Sequence, residues 1–223
     1  CVVACSPAAG VQNSTAAPTV GTIAVEPADS ASVPIEVTYF TPAQGEGPYY
    51  TVHKPEDRDN DLTVLQGAPG IPEGEIIEFT GKVYDVGGMP VSGATIEIWQ
   101  TDKNGVYLHP NDPGTEQRDR NFQFYGEAVS INDGSYGFRT ILPGHYEPRP
   151  RHIHVKVKFE GKELLTTQFY FEGDAELANE AMFNQTEGDG VHLIISLTEE
   201  QDTNGNSILI GQRDIVLSVD LSS

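Results

Sequence analysis

Cysteine is almost absent from this chain: among 223 residues there are two, Cys1 and Cys5, both at the N-terminus. The rest of the chain can therefore form neither a disulfide nor a thiolate metal site. Positive charge is also scarce, because 13 Lys and Arg face 33 Asp and Glu, for a formal net charge of −20. So acidic a chain lacks the basic face that nucleic acid or anionic lipid requires. No apolar run approaches the roughly 20 residues of a membrane span.

Residues 1–33 have the composition of a flexible tether, which is too small and polar to bury a core. A cysteine followed by such a tether resembles a bacterial lipoprotein after signal-peptide removal, and VVAC at residues 2–5 resembles the end of a lipobox. We therefore expect an exported, extracytoplasmic protein that a lipid on Cys1 or Cys5 could tether to a membrane. An arbitrary boundary of the sequence is the alternative. Residues 34–223 are expected to form one domain.

Most of the remaining signals are those of β-strands. Segments rich in β-branched and aromatic residues are separated by turn signals such as NG at residues 104–105 and 204–205. Only residues 176–183 could form a short helix, and residues 34–70 carry few regular patterns. We therefore predict an all-β fold, an antiparallel β-sandwich wrapped by a largely irregular N-terminal segment. The predicted strands are residues 76–86, 95–101, 135–141, 153–159, 164–171, 192–197 and 215–217.

Two histidines, His152 and His154, stand two residues apart at the start of a predicted strand. Side chains with this spacing leave the same face of a strand, so both imidazoles can reach one metal ion. Tyr146 precedes them by six residues, with Arg149 between. Imidazole nitrogen together with phenolate oxygen suits iron better than a thiol-preferring metal. On this pattern alone, a partly exposed pair of surface histidines is the competing interpretation.

Five motifs in order make the chain resemble the intradiol ring-cleavage dioxygenases, which include protocatechuate 3,4-dioxygenases and catechol 1,2-dioxygenases. EGPYY at residues 46–50 also resembles the segment that leads into the family's active site. The resemblance runs from about residue 40 to about residue 218, a length like that of the compact extracellular members. The motifs are IEIWQ at 96–100 with NGVY at 104–107, DGSYGFR at 133–139, PGHY at 143–146, RPRHIH at 149–154 and TQFYF at 167–171.

The resemblance implies an oxidoreductase that binds one mononuclear, non-haem Fe(III) per chain. Its ligands would be Tyr107, Tyr146, His152 and His154. Such an enzyme cleaves a catechol-type ring with O2 between the two hydroxylated carbons, giving a cis,cis-muconate-type diacid. By the same resemblance, Tyr146 would be both a ligand and a base that takes a catechol proton. A tyrosinate at neutral pH needs a strong Lewis acid beside it, because ordinary tyrosine has a pKa of about 10.

The resemblance also assigns residues that would act on the substrate. Arg149 would stabilise the anionic ring electrostatically, although a surface ion pair with Glu147 is the alternative. Gln168 would lie near the iron, where an ordinary strand residue is the alternative. Tyr49 and Tyr50 would line the substrate pocket, unless they serve only for packing.

Several positions depart from the family or stay unassigned. Pro148 stands where many members have a tryptophan, which leaves the orientation of the substrate open. The long helical N-terminal region that forms the dimer interface of catechol 1,2-dioxygenases is not in this sequence, so the oligomeric state is open. Arg139 and Arg151 are candidate cations for a substrate carboxylate, while Trp99 is expected in the core. Most of the other histidines are expected to be exposed, namely His53, His109, His145 and His192.

A non-catalytic, transthyretin-like β-sandwich binding module is the competing interpretation of residues 81–144. Such a module predicts that the purified protein contains no iron. A cupin would also place two histidines on a strand, but it expects an acidic ligand three to four residues later. The first acid after His154 is Glu160, six residues on, so the cupin pattern fits poorly.

Overall fold

The computed structural model describes residues 33–51 and 53–221, so the predicted tether, apart from Val33, lies outside the described residues and stays a prediction. Strands dominate the described part, which confirms the all-β class. Within it, no helix has the length and apolarity that a membrane span requires. The strands are β1 Ile76–Tyr84, β2 Thr95–Trp99, β3 Tyr125–Val129, β4 Ser135–Ile141, β5 His152–Phe159, β6 Lys162–Phe171, β7 Ile194–Ile195, β8 Thr198–Gln201, β9 Ser207–Gln212 and β10 Ile215–Val216; the helices are α1 Ala181–Asn184 and the 3-10 turns Thr115–Gln117, Leu177–Asn179 and Asp189–Leu193.

The strands form two sheets. In the first, β1 pairs with β4, β9 and β10, and β8 follows β9 at the edge. In the second, the order is β3-β2-β5-β6-β7. Most neighbours pair in antiparallel fashion, as predicted, but β9 and β10 run parallel to β1, and β7 runs parallel to β6. Parallel pairs need long crossover connections, and here these bring C-terminal segments beside strands formed much earlier in the chain.

The hydrophobic core lies between the two sheets. Phe79 of β1 packs against Phe138 of β4 at 5.5 Å between ring centroids, and against Phe169 of β6 at 6.4 Å. All three rings are fully buried. Burial of each such side chain stabilises the fold by about 1.5–3 kcal/mol, so these contacts join the two sheets firmly.

Side chains of β5 point alternately into the core and towards the opposite, outer face of the second sheet. The aliphatic residues 153, 155 and 157 are fully buried in the core, whereas His152 and His154 leave the other face of the strand. The antiparallel register places Trp99 of β2 and Gln168 of β6 directly beside His154. The outer face of this sheet therefore carries three residues that the resemblance assigns to the active site, His152, His154 and Gln168.

A strap, residues 41–50, crosses this outer face, which matches the predicted irregular N-terminal segment. The Gln44 N–H donates to the Thr166 carbonyl oxygen at 2.8 Å. The Gln168 Nε2 group donates to the Gly45 carbonyl oxygen at 3.0 Å. Because both bonds join the strap to β6, the strap covers the histidines in a fixed register.

Some local predictions were wrong. Residues 176–183 form two short turns instead of one helix, because the backbone of Glu180 between them is extended, with φ −74° and ψ 113°. In the predicted strand 192–197, the first two residues belong to the 3-10 helix Asp189–Leu193, the next two form β7, and the last two have no regular structure. Strands β3, β8 and β9 were not predicted. β8 exposes all four of its residues, and β3 and β9 each contain a glycine, so their hydrophobic alternation is weak.

Candidate metal centre

Three potential donor atoms meet above β5. The Tyr107 hydroxyl oxygen lies 3.1 Å from His152 Nε2 and 3.2 Å from His154 Nε2. All three side chains belong to residues that are at most 3% exposed. The two-residue spacing on one strand face brings the imidazoles together, and the loop after β2 supplies the phenol.

Two buried carboxylates hold Tyr107 in that loop. Asp102 accepts a hydrogen bond from the Val106 N–H at 3.1 Å, which closes a tight turn just before the tyrosine. Asp112 accepts a hydrogen bond from the N–H of Tyr107 itself at 2.9 Å. The backbone on both sides of Tyr107 is therefore anchored, so its ring is aimed by the loop and not by packing alone.

Tyr146 lies in the loop between β4 and β5, against the Tyr107 loop. Gly105 has φ +80°, and a Cβ there would collide with the carbonyl oxygen of His145, so glycine permits the close approach of the two loops. The Tyr146 ring stands 5.8 Å from the Tyr107 ring, and its hydroxyl shares a 2.9 Å hydrogen bond with the Tyr49 hydroxyl. Tyr146 is half-buried, whereas Tyr107 is 2% exposed. Tyr146 is therefore the more accessible phenol of the two.

Burial keeps both histidines neutral. The pKa of His152 falls to about 4, first because of burial and then because of the Arg149 charge. The pKa of His154 falls well below its ordinary value for the same leading reason. The hydrogen-bond network assigns the His152 proton to Nδ1, which donates to the Pro150 carbonyl at 2.7 Å and leaves the Nε2 lone pair facing Tyr107. Neutral imidazoles with a free lone pair are the form that binds metals.

The hydrogen bonds of this group do not satisfy all its atoms. One Tyr107 proton can serve only one of the two Nε2 atoms. His154 Nδ1 is buried with no hydrogen-bond partner among the described residues, so one of its nitrogens stays unsatisfied in either tautomer. Burial raises the pKa of Tyr107, so its phenolate does not form unaided. A cation at the meeting point would take up the lone pairs of both Nε2 atoms and stabilise the phenolate, while His154 Nδ1 would carry the ring proton. The hard oxygen and borderline nitrogen donors fit ferric iron.

Tyrosine is essential to this fit. Across residues 33–51 and 53–221, no group of three or more His, Cys, Asp or Glu side chains is placed to hold a metal ion. Two histidines alone are too few ligands for a closed site. We call Tyr107, Tyr146, His152 and His154 the tyrosine–histidine cluster.

Arg149 is fixed beside the cluster by a buried carboxylate. Its Nε and Nη2 groups donate to the two oxygens of Glu180 at 3.1 and 3.0 Å. Nη2 also donates to Gln168 Oε1 at 2.7 Å, and Nη1 stands 3.3 Å from His152 Nε2. The alternative pairing with Glu147 is therefore not what the structure shows, since Glu147 is exposed and Glu180 is the partner. A bidentate pair fixes both the position and the plane of the guanidinium.

Three residues predicted near the substrate are engaged elsewhere. The Tyr50 hydroxyl donates to Glu97 at 2.8 Å and so belongs to a neighbouring lysine–glutamate network. Arg139 forms an ion pair with Glu78 in the first sheet. Arg151 donates to a backbone carbonyl of the β4–β5 loop at 2.9 Å. Of the predicted pocket residues, Tyr49 is the one that contacts the cluster.

Trp99 is buried, but with Tyr49, Tyr107 and Tyr125 on the outer face of the sheet and not in the core between the sheets. It stacks on His154 with 4.7 Å between ring centroids and 6° between planes. The expectation that most of the other histidines are exposed is wrong. His109 is 7% exposed and lies 5.6 Å from the Tyr49 ring. Its neighbours along the chain explain this burial, since it follows Tyr107 by two residues. Among the others, His53 is exposed, while His145 and His192 are half-buried.

Sequence reasoning missed the three carboxylates that position the site. Asp102 had a usable signal, because Asp two residues before Asn-Gly is a turn pattern that anchors the following backbone. Asp112 carried only a weak signal of the same kind, in a segment without regular pattern. Glu180 carried none, because its partner Arg149 lies 31 residues earlier and only the fold brings them together.

The chain is similar to known dioxygenases in sequence and fold. A family model described as Dioxygenase matches residues 45–219. The beta chain of protocatechuate 3,4-dioxygenase from Burkholderia cepacia is 36% identical over 181 residues, covering 76% of this chain and 77% of that one. Catechol 1,2-dioxygenase from Acinetobacter baylyi is 29% identical over 192 residues, covering 78% and 58%. The solved dioxygenase domain of a carbohydrate-binding fusion protein from Streptomyces sp. SirexAA-E has a TM-score of 0.63 and 31% identity, covering 82% of this chain and 100% of that domain.

The fold and the sequence are therefore those of a ring-cleaving dioxygenase. More particularly, the chain belongs to the intradiol ring-cleavage dioxygenase family. It spans 77% of the length of the Burkholderia beta chain but only 58% of the Acinetobacter enzyme. The matched residues include the whole tyrosine–histidine cluster.

Proposed function

We propose that this protein is an Fe(III)-dependent enzyme that cleaves a catechol with O2 between its two hydroxylated carbons. The observation that supports this most is the position of the Tyr107 hydroxyl oxygen, which lies 3.1 Å from His152 Nε2 and 3.2 Å from His154 Nε2. The Tyr146 ring lies beside that of Tyr107. The names of the relatives point to the same substrate class, since one acts on protocatechuate and the other on catechol.

The tyrosine–histidine cluster would hold the metal through two phenolate oxygens and two imidazole nitrogens. A ferric ion held there would supply a Lewis acid that favours the ionised form of the catechol oxygens. The protein's own part is to keep water out, and the low exposure of Tyr107 and both histidines provides this.

Tyr146 is the residue that we propose as the proton acceptor. It is the more accessible phenol, and its oxygen already shares a hydrogen bond with the Tyr49 hydroxyl. That same hydrogen bond raises the pKa of Tyr49 to about 12. Tyr49 therefore keeps its proton at neutral pH, and its O–H can donate a hydrogen bond to the Tyr146 oxygen while that oxygen takes up the catechol proton.

Arg149 is the residue that we propose to stabilise negative charge on the bound ring. A guanidinium acts as a fixed positive charge and not as an acid. Gln168 accepts from Nη2 at 2.7 Å and donates to the strap at 3.0 Å, which orients Arg149 towards the cluster. A preorganised charge in a water-poor site stabilises developing charge at little reorganisation cost.

The experiment is a visible absorption spectrum of iron-loaded protein, before and after anaerobic addition of catechol, followed by product analysis under O2. We expect a tyrosinate-to-iron absorption band that shifts with catechol and that Tyr107→Phe and Tyr146→Phe each diminish. Mass spectrometry should show a diacid that has gained both oxygen atoms of O2. A colourless protein that takes up no iron would contradict the proposal and favour the transthyretin-like binding module.

A further inference from the structure

We propose that a cavity beside the tyrosine–histidine cluster is a second part of the substrate site, which takes a large apolar substituent on the catechol ring. This inference rests on the proposed function. The cavity has a volume of about 620 Å³, well within the range of roughly 300–1,000 Å³ that small-molecule sites occupy.

Chain segments that carry Tyr107 and Tyr49 continue into the walls of the cavity. Leu108 and His109 in its wall directly follow Tyr107, and Thr51 in its wall follows Tyr49 by two residues. The His109 ring lies 5.6 Å from the Tyr49 ring, which itself contacts both cluster tyrosines. No cluster residue lines the cavity, so the reacting ring would stay at the cluster and only its substituent would enter.

The walls indicate the chemistry of that substituent. Pro55, Leu108 and Pro110 supply apolar surface. His109 Nδ1 accepts the Asn111 N–H at 3.1 Å, which leaves the ring proton on Nε2 as a hydrogen-bond donor. Arg118, also in the wall, uses one Nη1–H for a backbone carbonyl at 2.7 Å and has further N–H groups to offer. An aryl or alkenyl group that carries an oxygen acceptor, such as a carbonyl, matches this combination.

Filling the cavity from its exposed rim tests the inference. Asn111 is exposed, so Asn111→Trp can project an indole into the cavity without altering the core. The probes are catechol and a catechol that carries a benzoyl group, each assayed for kcat/KM with iron-loaded protein. We expect Asn111→Trp to lower the ratio of benzoyl-catechol to catechol activity at least tenfold. Asn204→Trp makes the same change in the exposed β8–β9 turn and should leave the ratio unchanged.

A second measurement tests binding in the cavity independently of the metal and of ring cleavage. The dimethyl ether of the benzoyl catechol cannot chelate a metal, so its binding to metal-free protein reports the cavity alone. Calorimetry should show binding to the unmodified chain that is at least tenfold weaker in Asn111→Trp and unchanged in Asn204→Trp. If Asn111→Trp does not fold, as judged by thermal unfolding, Thr115→Phe fills the cavity from another wall position.

The outcomes distinguish the two proposals. The substituent site would be overturned if Asn111→Trp lowered kcat/KM equally for catechol and benzoyl-catechol, or if the ether bound the variant as tightly as the unmodified chain. Neither result would contradict catechol cleavage by the unmodified protein. If iron-loaded protein cleaves neither catechol, the proposed function fails. If Asn111→Trp nevertheless abolished binding of the ether, the cavity would be established as a ligand site, but not as part of a catechol site.

Discussion

Glu180→Gln isolates the role of the carboxylate that holds Arg149. The substitution keeps the shape of the side chain and one acceptor oxygen but removes the negative charge. Both Glu180 oxygens accept from Arg149, at 3.1 and 3.0 Å, and the residue is 8% exposed. The guanidinium should therefore lose one of its two fixed contacts and turn away from the position beside His152 and Gln168.

The magnitude follows from the number and kind of bonds. A hydrogen bond to a charged group contributes about 1.5–3 kcal/mol, and Glu180→Gln removes about one of the two, so the free energy of unfolding should fall by that amount. Glu180→Ala removes both and leaves Arg149 without its counter-charge, which should cost about 3–5 kcal/mol. Because Arg149 moves, kcat should fall about 10–100-fold in Glu180→Gln, as for other groups that orient residues around a metal.

The assay combines chemical denaturation, iron content, the absorption band and steady-state kinetics. Iron content and the band should persist in Glu180→Gln, because Glu180 contacts none of the four proposed ligands. Glu147→Gln is the matched control, since it removes an exposed carboxylate two residues from Arg149 that does not pair with it. If the two variants show kcat within twofold of each other, Glu180 does not position Arg149 and the reasoning fails.

Three further outcomes are expected. Tyr107→Phe should lower iron affinity and remove part of the visible band, and unchanged iron content and colour would count against Tyr107 as a ligand. Gly105→Ala should destabilise the protein and abolish iron binding, because its Cβ would collide with the His145 carbonyl; a crystal structure that shows both loops unmoved would contradict this. Although burial opposes it, a hydrogen bond from Lys82 lowers the pKa of Asp133 to about 2. The resulting stability is present above the unfolded pKa of about 3.9 and is lost as pH falls towards 2, so Asp133→Asn should flatten acid unfolding between these values.

Local patterns predicted what depends on local geometry. Residues 135–141 directly follow a turn signal and include aromatic and β-branched residues, and the observed strand β4 has the same bounds. His152 and His154 share a strand face because the side-chain period of a strand is two, whatever the rest of the fold does. The irregular N-terminal segment was also predicted, since residues 34–70 lack any regular hydrophobic period.

Contacts between distant segments could not be predicted in the same way. β9 and β10 pair in parallel with β1 across more than a hundred residues, and no local pattern encodes that choice. Tyr50 and Tyr49 are adjacent in sequence, yet Tyr49 meets Tyr146 while Tyr50 meets Glu97. Neighbours in extended chain point to opposite sides, so a motif match placed both residues correctly along the chain without saying which one faces the site.

The strap explains how an outer sheet face becomes a buried site. A sheet face that carries His152 and His154 would ordinarily be open to water, where two imidazoles bind a metal weakly and remain protonatable. The strap lies over them so closely that a Cβ on Gly47 would stand 3.2 Å from His154 Cε1. An ion pair between Glu46 of the strap and Lys156 of β5 holds it in place. The burial that lowers the histidine pKa values therefore depends in part on a segment without regular structure.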